Sequence, residues 1–209
     1  MINLIGAYIV TIFLLGIVIK RPKLRPVEEH LASYSPRGRV LIALLPLLLL
    51  IEEAYSLFGG FYPITLVNHV VATTNFWIHE AGHFYWSWGG QFWCSLGGTL
   101  NQVTFCLIPA LYCFMKRYTF LCAVFMIWLA HNCFGIAKYM SDARLKELPL
   151  IGGAVTHDWE IIFTRLNLLP YDVTIGSITH LIGVVVGLGA IGFFVFQEGV
   201  EERESHDYS

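Results

Sequence analysis

The sequence predicts an all-α integral membrane protein: about six transmembrane helices plus a short cytoplasmic amphipathic helix. Three observations lead there. Hydrophobic residues make up 56% of the 209-residue chain and charged residues only 13%, against about 25% charged in soluble domains. Mean hydropathy is +0.62. The apolar residues also come in long continuous runs, without the alternation of a membrane β-barrel. This composition excludes a soluble enzyme, a disordered chain and a disulfide scaffold. A net charge of −2 gives no basic footprint for nucleic acid. The five cysteines (Cys94, Cys106, Cys113, Cys122, Cys133) are scattered through apolar stretches without a CxxC pair, and read as small buried hydrophobes.

A bilayer core about 30 Å thick needs around 20 apolar residues. The first run, about residues 2–19, carries no charge and precedes Lys20-Arg21-Pro22-Lys23. With no basic leader and no A-x-A site, it reads as an anchor. Further spans are expected at about 40–58, 65–88, 92–115, 119–139 and 173–196, with Pro46 and Pro109 kinking their helices. The whole chain, 1–209, is then one membrane domain ending in an acidic tail, 197–209. The first loop holds Lys20, Arg21, Lys23, Arg25, Arg37 and Arg39, and the fifth holds Arg144, Lys146 and Arg165. The positive-inside rule therefore places loops one, three and five in the cytoplasm and both termini outside.

The fifth loop, 141–172, is not membrane-like. Thr156 or Asp158 can cap a helix there, and Trp159, Ile162, Phe163 and Leu166 follow at i, i+3, i+4 and i+7. This spacing predicts a short amphipathic helix lying on the membrane surface.

The third span contains His79-Glu80-Ala81-Gly82-His83. On a helix, HExxH projects both histidines from one face, where they can share a metal ion, and the glutamate can deprotonate a water. Zinc suits this arrangement because it acidifies water and polarises a carbonyl. Ionisable residues inside a span are costly and tend to be functional. Asn101 and Gln102 fall at a similar depth on the next span. Their amides can bind a peptide carbonyl or oxyanion, or simply hydrogen-bond between helices. The stretch Gly89-Gly90…Gly97-Gly98 suggests a re-entrant, non-helical segment offering a strand edge to an extended substrate. For a third ligand the candidates are His131, His180, Asp142, His157 and Asp158, and composition does not choose among them. Asp158 can equally be a helix cap, and Asp142 a partner for Arg144 or Lys146. Glu52 and Glu53, towards the outer end of the second span, are expected to pair structurally, one with His69, or to line a proton path.

HExxH within a membrane helix resembles the site-2-protease class of intramembrane zinc metalloproteases. More closely, the chain resembles a family of small bacterial multi-pass membrane proteins. The shared signatures are His79-Glu80-Ala81-Gly82-His83, Gly97-Gly98-Thr99-Leu100-Asn101-Gln102, Asn132 with Tyr139, Ser141-Asp142-Ala143-Arg144, Leu148-Pro149-Leu150-Ile151-Gly152-Gly153 and His157-Asp158-Trp159. The Leu-Asp-Gly and Asn-Pro-Asp-Gly motifs of the better-known site-2 proteases do not occur. The resemblance implies a protein of the bacterial inner membrane, a Zn²⁺ cofactor, Glu80 as catalytic base, and His79 and His83 as ligands. His157 is the preferred third ligand and Asp142 the second choice. Asn101 and Gln102 would bind substrate. The implied activity is hydrolysis of membrane-associated proteins or peptides near the cytoplasmic face. The alternative is a non-proteolytic metal protein: an oxidase-like or desaturase-like enzyme, a metal carrier, or an assembly factor with a structural metal.

Overall fold

The structure is a computed structural model that describes residues 34–59, 66–148 and 156–196. The described residues form six α-helices: α1 (Pro36–Gly59), α2 (Leu66–Trp86), α3 (Gln91–Met115), α4 (Thr119–Ser141), α5 (Asp158–Arg165) and α6 (Asp172–Phe196). Single 3₁₀ turns at Ser87–Gly89 and Leu169–Tyr171 precede α3 and α6. Three stretches, Gln91–Met115, Thr119–Ser141 and Leu169–Phe196, are long and apolar enough to cross a membrane. The expected span at 2–19 and the tail at 197–209 lie outside the described residues. So do the side chains of Glu52 and Glu53, and with them the expected pairing to His69.

Local chemistry explains several helix ends. Ser35 Oγ accepts from the Gly38 N–H at 3.3 Å, and Pro36 occupies the first helical position, where its missing N–H costs nothing. Gly90, at φ +82°, supplies the left-handed turn that opens α3. Beyond it the expected re-entrant segment is instead continuous helix through Gly97 and Gly98, so it presents no strand edge. Those glycines serve close helix packing rather than chain reversal.

The central helix is α4, packed along its length against α6 and flanked by α1 and α3, while α2 packs on α3. Gly176 and Gly183 of α6 meet α4 directly, the first over Ser141 and Ala137 and the second over the Phe134 ring. Small residues at such crossings let backbones approach closely. The four more deeply placed cysteines are buried and all five are free.

The amphipathic helix is present as α5, but its apolar face is not turned to a membrane surface. Trp159, Ile162 and Phe163 are buried against Ile136, Met140 and Ala143 at the end of α4, while Leu166 is exposed. Each such buried side chain contributes up to about 1.5–3 kcal/mol. Lys146 Nζ to Glu160 Oε1 (2.8 Å) and Arg165 to Gln91 Oε1 (2.9 Å) fasten the polar edge.

The α4–α5 connection is pinned to α6 by Asp172, which is fully buried. Its Oδ1 accepts from Arg144 Nε at 2.8 Å and Val173 N–H at 2.8 Å, and its Oδ2 from the Arg144 N–H at 3.2 Å. The Arg144 guanidinium, half exposed, also closes to 2.7 Å. Removing the arginine would strand a buried carboxylate, whereas removing the aspartate's charge leaves an arginine that water can solvate. Arg144→Ala is therefore expected to destabilise the fold more than Asp172→Asn does. Thermal unfolding in detergent measures both, and the reverse order would refute this account of the clamp.

Candidate metal centre

Helix α2 places His79 and His83 one turn apart, with ring centroids 4.6 Å apart. A carboxylate oxygen of Glu80 lies within 4.8 Å of a ring nitrogen of each. The third group at this point is Asp158, the first residue of α5. Its Oδ2 stands 3.2 Å from His79 Nε2 and 3.3 Å from His83 Nε2.

The partners of the opposite ring nitrogens fix the tautomers. His83 Nδ1 lies 2.7 Å from the Cys94 carbonyl oxygen, which can only accept. His79 Nδ1 lies 3.0 Å from Gln102 Oε1, and the other end of that amide donates to the Asn75 carbonyl at 3.3 Å. Both Nδ1 atoms therefore carry a proton, and both Nε2 atoms face one carboxylate oxygen. The arrangement calls for positive charge at this point, supplied either by a second proton on a histidine, which then donates from Nε2 to Asp158, or by a metal ion in its place. Metal-ligating histidines are oriented in this way, with the second nitrogen donating to a carbonyl or amide oxygen. Two histidines and a carboxylate also form a recognised catalytic zinc set that leaves a coordination position open. The residue types here are those of a metal site, with ligand atoms of His79, Glu80 and His83 within 4.8 Å of one another.

Burial pushes the Asp158 carboxyl upward, but hydrogen bonds from His79 and His83 and their charge outweigh it and hold it well below the usual carboxylate range. Tyr139 adds to this grip: its hydroxyl accepts from the Asp158 N–H at 3.2 Å and lies 3.4 Å from Asp158 Oδ2. The Asp158 ligand atom is thus held from α2, α4 and its own backbone.

His157 and Asp142 lie elsewhere. His157 is the N-cap of α5, its Nδ1 accepting from the Glu160 N–H at 3.4 Å. Its Nε2 is 3.4 Å from Asp142 Oδ2, and its ring packs on Tyr139 at 4.1 Å. Burial holds its pKa low, against the raising pull of Asp142. Asp142 in turn accepts from the N–H groups of Glu147 (2.8 Å) and Leu148 (3.2 Å), organising the turn after α4. It pairs with neither Arg144 nor Lys146, which take Asp172 and Glu160. His131 meets Asn75 at 3.2 Å, one turn before His79, and His180 lies beside Phe134 on the α6 side of α4.

Asn101 and Gln102 both face inward. Asn101 donates to the Ile78 carbonyl at 2.6 Å. Gln102 is oriented by Asn132, whose Oδ1 accepts from Gln102 Nε2 at 3.4 Å. The chain continues through Asn75, whose Oδ1 accepts from Trp128 Nε1 at 2.6 Å. These side chains hold the histidine helix in place. Tyr139 and Asn132 had no assigned role in the sequence reading, although they sit seven residues apart on one face of α4.

No protein-family model matches this chain, and no curated protein or solved structure is detectably similar to it. The site therefore rests on its own chemistry.

Glycines set its dimensions. Gly82, inside the HExxH run, lies against the Gly97 backbone, and a Cβ on Gly98 would fall 2.5–2.7 Å from the His79 imidazole. Alanine at 98 improves intrinsic helix propensity by about 1 kcal/mol, yet it pushes the ring off the shared point. Gly98→Ala is expected to keep the helical circular dichroism signal and lose most bound metal, as read by metal analysis of purified protein. Full occupancy would show that the ring has room to move.

Proposed function

We propose that this chain is a membrane-embedded zinc metalloprotease, with the metal held by His79, His83 and Asp158 and with Glu80 as general base. The observation that carries the reading is the convergence of two Nε2 atoms on one Asp158 oxygen, beside the Glu80 carboxylate. Zinc bound there would acidify a water and polarise the scissile carbonyl. Glu80 takes the proton from the attacking water and returns it to the leaving amide nitrogen. Gln102 and the Cys94 carbonyl keep both imidazoles in the ligating tautomer, and Tyr139 keeps Asp158 facing them.

The substrate is a membrane-associated protein or peptide. Trp88, Trp93, Leu145, Leu166 and Tyr171 are exposed at the end of the bundle that holds the site, and aromatic residues of this kind favour the membrane–water interface. Together with the cation bias, this supports six spans in a bacterial inner membrane, both termini outside, and a site opening at the cytoplasmic face. A second reading, metal binding without proteolysis, draws on Asn101 and Gln102: both amides are engaged within the helix packing, leaving neither to hold a peptide.

Three variants test the site together. Glu80→Gln should retain zinc and lose peptide hydrolysis by at least a hundredfold, in line with general-base contributions of about 10²–10⁴. Asp158→Asn should lose zinc. His157→Asn, which keeps a good helix cap, should retain it. Zinc loss in the His157 variant with retention in the Asp158 variant would move the ligand role to His157. Unchanged biological function in Glu80→Gln would favour the non-proteolytic reading.

Orientation is checked separately. A cysteine placed at Lys146 should react with an impermeant thiol reagent only when the cytoplasmic side is opened. Labelling of intact cells would reverse the proposed topology.

A further inference from the structure

Peptide hydrolysis needs, besides a base, a hydrogen-bond donor for the oxygen of the attacked carbonyl, which gains negative charge as its double bond opens. The side-chain amides packed against α2 are already committed. Asn101 donates to the Ile78 carbonyl at 2.6 Å, and Gln102 Nε2 donates to the Asn75 carbonyl and to Asn132 Oδ1. The Trp128 indole N–H is taken by Asn75 Oδ1.

Tyr139 differs from these. Its hydroxyl oxygen accepts from the Asp158 N–H at 3.2 Å, so its lone-pair side is engaged by α5. Its proton is held less firmly. The acceptor it meets is Asp158 Oδ2 at 3.4 Å, well beyond the usual O–H···O length of about 2.7–2.8 Å. That same oxygen stands 3.2 Å from His79 Nε2 and 3.3 Å from His83 Nε2. The phenol therefore borders the point where the three groups converge, with a proton free to take a better acceptor arriving there. The ring is fixed in this pose by His157, 4.1 Å away, and by the edge-on His79 ring at 6.2 Å. Tyr139 is only partly buried, and the side chains of His79, Asp158 and His83 keep 12%, 14% and 22% of their surface exposed, so a substrate atom can reach them.

We infer that Tyr139 is a further catalytic residue, its hydroxyl donating to the substrate carbonyl oxygen as that oxygen becomes negative. This rests on the metalloprotease reading and supplies the donor that Asn101 and Gln102 do not. In the attack, the water oxygen bonds to the carbonyl carbon, the π pair of the C=O bond moves to its oxygen, and Glu80 takes the water proton. Tyr139 keeps its own proton throughout and contributes a hydrogen bond that shortens as the negative charge grows.

The test measures binding to zinc-loaded, detergent-purified protein. A phosphinic tetrapeptide presents a tetrahedral anionic group with an oxygen in the place of the attacked carbonyl oxygen. A mercaptoacetyl tripeptide presents a thiolate to the metal and no such oxygen. Tyr139→Phe keeps the ring packing and should keep zinc content at saturating zinc. It should weaken the phosphinic peptide tenfold or more and the mercaptoacetyl peptide less than threefold. Should Tyr139→Phe fail to fold, Tyr139→Met, which also lacks the hydroxyl, should give the same selective loss. Zinc loss in the variant, equal weakening of both peptides or unchanged phosphinic affinity would overturn the catalytic role and leave the hydroxyl as a support for Asp158. Failure of the mercaptoacetyl peptide to bind the wild-type protein would overturn the metalloprotease reading, and this inference with it.

Discussion

Two imidazole nitrogens, each within 3.3 Å of one carboxylate oxygen, are the constraint around which the rest is arranged. In a low-dielectric surrounding such a cluster needs positive charge within it, a second proton on a histidine or a metal ion. Each neighbouring element contributes to keeping them there. The Cys94 carbonyl and Gln102 amide hold the rings from behind, Tyr139 holds Asp158 through both its backbone and its side chain, and Asn132 keeps Gln102 from turning. Without these partners the histidines would be free to rotate their protonated nitrogens inward, and the point of convergence would vanish.

The polar residues of α2 and α3 look expensive for a bundle this apolar, and their cost is met by pairing. Asn75, Asn101, Gln102, Asn132 and Trp128 bond to one another or to helix carbonyls, so few donors are left without a partner. Helix approach comes from glycine rather than from interdigitated large side chains, with Gly82 on Gly97 and Gly98 beneath His79. Gly98, beside that contact, thus also sets the position of the His79 ring. Scaffold and site are one piece of geometry here.

What the sequence made legible was local. HExxH could be read because its two histidines are four residues apart on one helix, and α5 because its apolar residues recur at helical spacing. The third group at the metal point was a different matter. Asp158 is 79 residues from His79, and no periodicity links them; the resemblance favours His157, then Asp142, and leaves Asp158 as a helix cap. What separates His157 from Asp158 is position at a helix start. The cap residue folds its side chain back onto its own backbone, as His157 does on Glu160, and the next residue is left pointing outward. The glycine-rich stretch failed for a related reason. Glycine serves equally to break a helix and to let two helices touch, and only the partner helix distinguishes them.

The proposed metal point is assembled from two parts of unequal character. His79 and His83 lie on a long helix fixed against α3. Asp158 arrives on an eight-residue helix, too short to be stable by itself and held by Trp159, Ile162 and Phe163 against α4. An ion bound by all three groups binds only the arrangement with α5 docked, so its binding free energy adds to the docking of that helix. Conversely, every contact that docks α5 raises the affinity for the ion. The Asp172–Arg144 clamp and the turn built on Asp142 restrict where α5 can go, although neither touches the site. Their service to the centre is to limit the conformations from which Asp158 must be recruited.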